Sequence, residues 1–409
     1  MSDGKGKVPE GWEAVRLSMI LDVLKDGTHF SPQEFGGPYK YITSKNIRFG
    51  YIDLSDIQSV SEEIHRKIYK GSPVKQGDIL LTKDGANTGN VAINNLEEEF
   101  SLLSSVAILR GNKSKLENPF LFQYLLSQKM QDFIKADMSG QAITRLTLQK
   151  IGNFPILLPP LPEQRKIAAI LSTWDDSLAT LTNLLAAKRQ QKRGLAEALL
   201  TGKKRLPGFA GEWEEKKLGE VAEINPADTL QDFQGGFIKM EDTSEEGQLL
   251  RISENTSIQT GLAGFSRFRN NDTLIAKITP CFENGKGAYV QGVRGLGLGS
   301  TEFFVLRSKA DIDARWLYFQ TRTHHFNSRG TTSMQGSGGQ RRVPRDFLVR
   351  YDVFVPPLPE QQAIASILST LDGEIASLEA LRAKVQEQKR GLMDELLTGR
   401  IRVKVEETC

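Results

Sequence analysis

The sequence predicts a mixed α/β chain in which two similarly built α/β domains are separated by two long helices packed as an antiparallel coiled coil. The whole is an internal repeat with pseudo-twofold character. Three observations predict it. The stretch from Pro159-Pro160-Leu161-Pro162-Glu163-Gln164 to Leu199-Leu200-Thr201-Gly202 recurs as Pro356-Pro357-Leu358-Pro359-Glu360-Gln361 to Leu396-Leu397-Thr398-Gly399, at a constant offset of 197 residues. Loops tolerate length change, so register kept over this distance points to a rigid, length-sensitive structure. Both copies carry a heptad seam, and the residues between them alternate short β-rich runs with turn residues.

In chain order, residues 1–10 are expected to be a frayed terminus, 11–158 the first domain, 159–205 the first long helix, 206–355 the second domain, 356–403 the second long helix and 404–409 a tail. Further landmarks extend the repeat. Gly11-Trp12 with Leu17 reappears as Glu212-Trp213 with Leu218, Gly77 to Lys83 as Asn271 to Lys277, and Ile108-Leu109-Arg110 as Val305-Leu306-Arg307. Strands are predicted at Tyr39–Ile42, Asp78–Leu81, Val91–Ile93 and Val106–Leu109 in the first domain and at Phe303–Leu306 in the second. Single helices are predicted over Pro119–Ile134, with Phe120, Tyr124, Leu125 and Phe133 on the apolar face, and over Ala314–Phe326.

The seam of the first long helix is Ile167, Leu171, Trp174, Leu178, Leu181, Leu185, Leu195 and Leu199, interrupted by Lys188 and Lys192. That of the second is Ile364, Leu368, Leu371, Ile375, Leu378, Val385, Leu392 and Leu396, interrupted by Arg382 and Lys389. Prolines set the starts, and Gly202 and Gly399 stand where C-terminal caps belong. The simplest partner for one stripe is the other, antiparallel, with a domain at each end of the pair. Packing of each helix on its own domain, or on a second chain, is the alternative. The interrupting cations are read as side chains snorkelling to water, and Asp175-Asp176 as a solvated face.

Composition bounds the function. A net charge of +3, 39% hydrophobic and 25% charged residues describe an ordinary globular chain. There is no apolar run of membrane-spanning length and no signal-peptide pattern, and two cysteines, Cys281 and Cys409, make neither a disulfide framework nor a metal set. A reducing cytoplasm is expected. The Asn/Asp-Pro-Pro-aromatic turn of amino-methyltransferases does not occur. Gly295-Leu296-Gly297-Leu298-Gly299 has the wrong spacing for a nucleotide loop and is read as an ordinary loop. No phosphate-binding Gly-Lys-Ser/Thr pattern exists. Glu214-Glu215-Lys216-Lys217 lacks the aspartate that a metal-dependent nuclease needs, and His324-His325 reads as a polar helix end. No catalytic residue and no metal site are assigned.

Two Pro-Pro-Leu-Pro-Glu-Gln openings, two long helices containing Gln-Lys-Arg-Gly-Leu (Gln191 to Leu195, Gln388 to Leu392) and two Leu-Leu-Thr-Gly closes, set around dissimilar globular halves, resemble the specificity subunits of type I restriction-modification systems. The resemblance covers Gly11 to Val403 and implies that each half is a target recognition domain for one part of a bipartite, asymmetric DNA sequence. It implies that the helices set the gap and seat two methyltransferase subunits, to which restriction-translocase subunits add. It also implies that adenine is the methyl acceptor, with S-adenosylmethionine bound by the partner and no cofactor on this chain. A coiled-coil scaffold for other proteins, a complete restriction or modification enzyme, and the specificity subunit of a system with a fused nuclease-methyltransferase partner are the rival readings.

Phosphates call for Arg and Lys along a face, and base edges for Arg, Asn, Gln, Ser or Thr presented from loops. Gly-containing loops with such residues are the candidates. In the first half they give Lys45, Asn46 and Arg48; Lys83, Asn87, Thr88 and Asn90; and Gln141 and Arg145. In the second half they give Lys277, Asn284, Lys286, Arg329, Gln340, Arg341, Arg342 and Arg345. The run Gln335 to Arg345 is the leading candidate, because glycines allow close approach and its arginines add charge. Ordinary solvated turns are the bland alternative.

Overall fold

A computed structural model describes residues 8–138, 145–228, 233–258, 264–337 and 339–405. The chain divides into two compact units, Met1–Thr182 with Leu381–Cys409, and Asn183–Ala380. The division falls within both long helices, Leu161–Leu200 and Leu358–Leu397, each of 40 residues. At 1.5 Å per residue each is about 60 Å long.

In the first unit a four-stranded antiparallel sheet runs in the order Leu21–Asp26, Val106–Gly111, Ile79–Thr82, Val91–Ile93. Beside it lie a three-stranded sheet, Gln58–Val60, Tyr39–Ile42, Ser101–Leu102, and a ribbon pairing Glu13–Arg16 with Pro155–Leu158. The second unit repeats the plan. Its first sheet runs Ala222–Ile224, Phe303–Ser308, Thr273–Ala276, Gly287–Tyr289, and its ribbon pairs Glu214–Lys217 with Asp352–Val355. Its second sheet, Ser253–Ile258, Phe233–Ile238, Gly297–Gly299, Ser266–Phe268, has one strand more than its counterpart. Each unit has a buried apolar core that includes Phe120 and Leu125 in one and Trp316 and Phe319 in the other.

The long helices pair antiparallel within both units, and each also packs on a globular core. In the first unit, Ile167, Ala168 and Leu171 share that core with Met393, Leu396 and Leu397. In the second, Leu199 and Leu200 share it with Ile364, Ala365 and Leu368. None of the predicted seam residues is exposed. Gly202 and Gly399 close the helices at φ of 71° and 68°, the left-handed conformation that glycine adopts without a Cβ penalty.

Five expectations are corrected. The helix predicted over Pro119–Ile134 is two helices, Asn118–Leu126 and Gln128–Met138. Ser127 breaks it: its hydroxyl donates to the Tyr124 carbonyl at 2.6 Å and accepts from the Met130 amide at 3.3 Å. Thr323 divides Ala314–Gln320 from His324–Ser333 in the same way, donating to the Gln320 carbonyl at 3.1 Å and accepting from the Phe326 amide at 3.2 Å. Gly297 to Gly299 form a strand rather than a loop. A Cβ on Gly297 would lie 2.3 Å from the Phe268 ring, so the glycine is what lets the aromatic cover the strand.

The seam cations do not snorkel freely, and Asp175 is not simply solvated. Lys389, 8% exposed, meets Asp175 at 2.5 Å, and the offset pair Lys192 and Asp372 repeats the contact in the second unit. Lys188 meets Glu374 at 2.7 Å. Arg382 and Asp176 are exposed.

Candidate nucleic-acid interface

The Pro-Glu-Gln motif proves to be the clasp on which each unit's loops are mounted. Glu163 is buried, and an isolated buried carboxylate would be costly, so its partners matter. The Trp12 indole N–H donates to its Oε2 at 3.0 Å, and the Arg402 guanidinium forks onto both oxygens at 2.7 and 2.8 Å. In the second unit Trp213 donates to Glu360 at 3.1 Å while Arg205 forks onto it at 2.7 and 2.7 Å. The carboxylate contact raises the affinity of both guanidinium groups for their proton. Each guanidinium also lies over the indole ring, 5.7 and 5.5 Å from the centroid.

The glutamine beside each glutamate anchors a second segment. Gln164 accepts from the Glu117 amide at 2.9 Å and donates to the carbonyls of Lys115 and Pro159, both at 2.8 Å. Gln361 accepts from the Asp313 amide at 2.8 Å and donates to Asp311 and Pro356 at 3.2 and 2.8 Å. No role was assigned to these residues from the sequence. Their signal was available, because Arg205 and Arg402 stand at the same 197-residue offset as the glutamates.

On this mounting, the strands Ile79–Thr82 and Thr273–Ala276 each end at a lysine held by the same joint. The Leu146 amide donates to the Lys83 carbonyl at 2.8 Å and the Val343 amide to the Lys277 carbonyl at 2.9 Å, while isolated bridges pair Asp84 with Arg145 and Ile278 with Arg342. A lysine and an arginine are therefore brought together at equivalent places in both units. Lys83 is 2% exposed, with Nζ 3.0 Å from Asp84 and 3.3 Å from Asp26, and Arg145 meets Asp84 at 3.1 Å. Lys83 is thus an internal charge rather than a presented one. Arg342 forks onto Glu302 at 3.1 and 2.9 Å. Burial pulls the Lys277 ammonium below its usual range against the opposing pull of Glu302, and the Arg342 charge adds to the depression.

The first unit's asparagines act as clamps. Asn46 accepts from the Thr43 amide at 3.0 Å and donates to the Asp53 carbonyl at 3.1 Å; Asn87 donates to Ser44 and Asn90 to Ile47, at 3.2 and 3.1 Å. The Thr88 hydroxyl donates to Gly85 at 2.6 Å. Lys45 is exposed on this turn, and Arg48 meets Asp53 at 3.2 Å. Hydrogen bonds from the Ser55 hydroxyl and amide, with Arg48 contributing less, lower the Asp53 pKa.

In the second unit, Gln335 and Arg342 exchange backbone hydrogen bonds at 2.9 and 2.8 Å, closing a hairpin loop with Gly336 and Gly339 at positive φ. It exposes Gln340 and Arg341, the latter paired with Glu283 at 2.9 Å. Arg345 is exposed on the first turn of Arg345–Arg350. Asn284 donates to Glu245 at 2.9 Å, and Lys286 is half-buried. Arg329 stands apart, lining a cleft of about 710 Å³ with Arg350 and Tyr351. Gln141, with residues 139–144, and Gly338 lie outside the described residues. Among the described residues no group of three or more His, Cys, Asp or Glu side chains is placed to hold a metal, and no helix is long and apolar enough to cross a membrane.

Two units mounted on equivalent clasps form a duplicated module, and comparison with known proteins gives the family. Residues 9–188 and 210–387 each match the type I restriction modification DNA specificity domain. The type I restriction enzyme MjaVIII specificity subunit of Methanocaldococcus jannaschii is 25% identical over 97% of this chain and 95% of its own length. The EcoAI specificity subunit of Escherichia coli is 38% identical over 37% of this chain and 26% of its own. In fold, the chain is similar to the type I S subunit from M. genitalium, with TM-score 0.55 and 17% identity over 96% of this chain and 98% of that one. It is equally similar, with TM-score 0.55 and 19% identity over 97% and 100%, to a chain from a structure of type I restriction-modification complex assembly and conformational transition. The chain belongs to the type I restriction-modification specificity family.

Proposed function

We propose that this chain is the DNA-reading, non-catalytic subunit of a type I restriction-modification complex, each unit reading one part of a bipartite, asymmetric target. The observation that carries the reading is the repeated joint: one skeleton brings Lys83 with Arg145 and Lys277 with Arg342 to equivalent positions, while the loops around them differ in sequence. A common frame with divergent polar loops suits two readers of different sequences.

The long helices are the seat for two methyltransferase subunits, with restriction-translocase subunits added to these. S-adenosylmethionine and the chemistry on adenine belong to the partner, and the complex works in the cytoplasm beside the host DNA. The chain's own residues bind and position duplex DNA: exposed Lys45, Arg341 and Arg345 meet phosphates, and Arg342 exchanges Glu302 for a base edge or a phosphate.

A gel-shift titration of the chain with its methyltransferase partner and S-adenosylmethionine tests this. Specific retardation of host DNA is expected, and its absence, with partner proteins still bound, would favour a scaffold. Arg341→Ala with Arg342→Ala is expected to weaken binding and lower the salt slope by about 0.9 for each phosphate no longer neutralised. An unchanged slope contradicts the placement.

A further inference from the structure

The turn at residues 43–53 of the first unit displays two aromatic side chains that neither its core nor its ion pairs use. Phe49 is 53% and Tyr51 59% exposed. The backbone beneath them is fixed: besides the Asn46 and Asn90 clamps, the Arg48 amide donates to the Tyr51 carbonyl and the Gly50 amide to the Val91 carbonyl, both at 2.9 Å. Gly50 turns the chain at a φ of 98°. Burying a Phe side chain contributes roughly 1.5–3 kcal/mol, so a locked turn that keeps two rings in water forgoes that contribution unless a ligand covers them.

The skeleton does not require aromatics there. The second unit has a similar turn, one residue longer, in which Asp242 accepts from the Lys239 amide at 2.9 Å, Thr243 bridges Leu249, Gly247 turns the chain at 84°, and the exposed apolar side chain is Leu250, not an aromatic. Its tip is Ser244-Glu245-Glu246-Gly247, and its backbone is tied inward, with the Tyr318 hydroxyl donating to the Gly247 carbonyl at 3.0 Å and Arg322 to the Glu245 carbonyl at 2.8 Å.

We propose that Phe49 and Tyr51 form a wedge that packs against, or between, base steps of the duplex held by the first unit. The inference rests on the reading of that unit as a DNA-recognition unit. DNA is favoured over a protein partner by the cations on the same turn: Lys45 has no ion-pair partner among the described residues, and Arg48 stands half-exposed beside the tip. The asparagine clamps join this turn to the loop whose Asp84 holds Arg145. Cations beside the rings draw in the backbone, and apolar side chains that enter a base step unstack it.

The test uses the full chain with its methyltransferase partner and a duplex carrying the sequence found modified in host DNA, with 2-aminopurine walked through each half-site. Apart from the acceptor adenines, which the methyltransferase partner extrudes, wild type is expected to raise the fluorescence at one step of a single half-site. Phe49→Ala with Tyr51→Ala is expected to abolish that rise and weaken binding roughly 5- to 160-fold, the scale of one base–aromatic stack, with the salt slope unchanged because no charge is removed. Phe49→Leu, which keeps an apolar wedge, is expected to retain part of the signal. Unaltered affinity and fluorescence in the double variant overturn the wedge while leaving the DNA-reading assignment standing. Loss of the methyltransferase subunit with unchanged fluorescence would assign the tip to a protein interface. No retardation by the wild-type complex overturns the underlying reading and the wedge with it.

Discussion

The turn at residues 43–53 and its counterpart at 239–250, one residue longer, are closed by equivalent bonds and differ at their tips. In one, an asparagine closes the turn beneath Phe49 and Tyr51; in the other, an aspartate closes it beneath two glutamates, and the backbone is tied inward by Tyr318 and Arg322. The same contrast runs through both units. The carboxylate clasps, the glutamine anchors and the lysine-terminated strands are duplicated almost bond for bond, and the tips are not. The side chains that hold the frame are those whose loss would strand a buried charge or amide, whereas a tip facing water carries no such constraint.

That equivalence can be broken most severely at the clasps. Glu163→Ala leaves Arg402 and the Trp12 indole without their acceptor, and Glu360→Ala does the same to Arg205 and Trp213. Each is expected to cost about 3 kcal/mol, the low end for breaking a buried pair because the arginines remain partly exposed. Thermal unfolding followed by circular dichroism should show the two variants falling together, and a drop confined to one would break the comparison. Gln164→Ala and Gln361→Ala come next. Each strands a buried amide and two carbonyls, and a loss of about 1–3 kcal/mol is expected in urea unfolding. The seam pairs give the smallest effect. Lys389→Ala and Lys192→Ala should each cost about 1 kcal/mol or less and lose part of that difference at high salt, which unfolding at two ionic strengths would check.

The frame was legible in the sequence because its parts sit at a fixed offset and its helices carry a heptad seam that admits few other arrangements. The helix breaks at Ser127 and Thr323 were hidden, since the apolar period continues across them and only a hydroxyl bonded both backward and forward reveals the interruption. The strand Gly297–Gly299 was hidden because its glycines make sense only once Phe268, distant in sequence, lies over them. At the candidate interface, residue types that suit base edges also suit carbonyls: Asn46, Asn87 and Asn90 are donors either way, and the fold uses them as clamps. Phe49 and Tyr51 carried no signal because an aromatic in a β-rich segment ordinarily reads as core.

The central claim is that each unit reads its own part of one DNA target. Its most direct test is single-molecule sequencing of modified adenines in cells that carry the methyltransferase partner with either this chain or a version whose residues 214–355 are replaced by those of a relative. The account predicts a two-part motif for the native chain, and for the exchange a motif in which one part changes and the other is retained. A motif altered in both parts, or in neither, would contradict it.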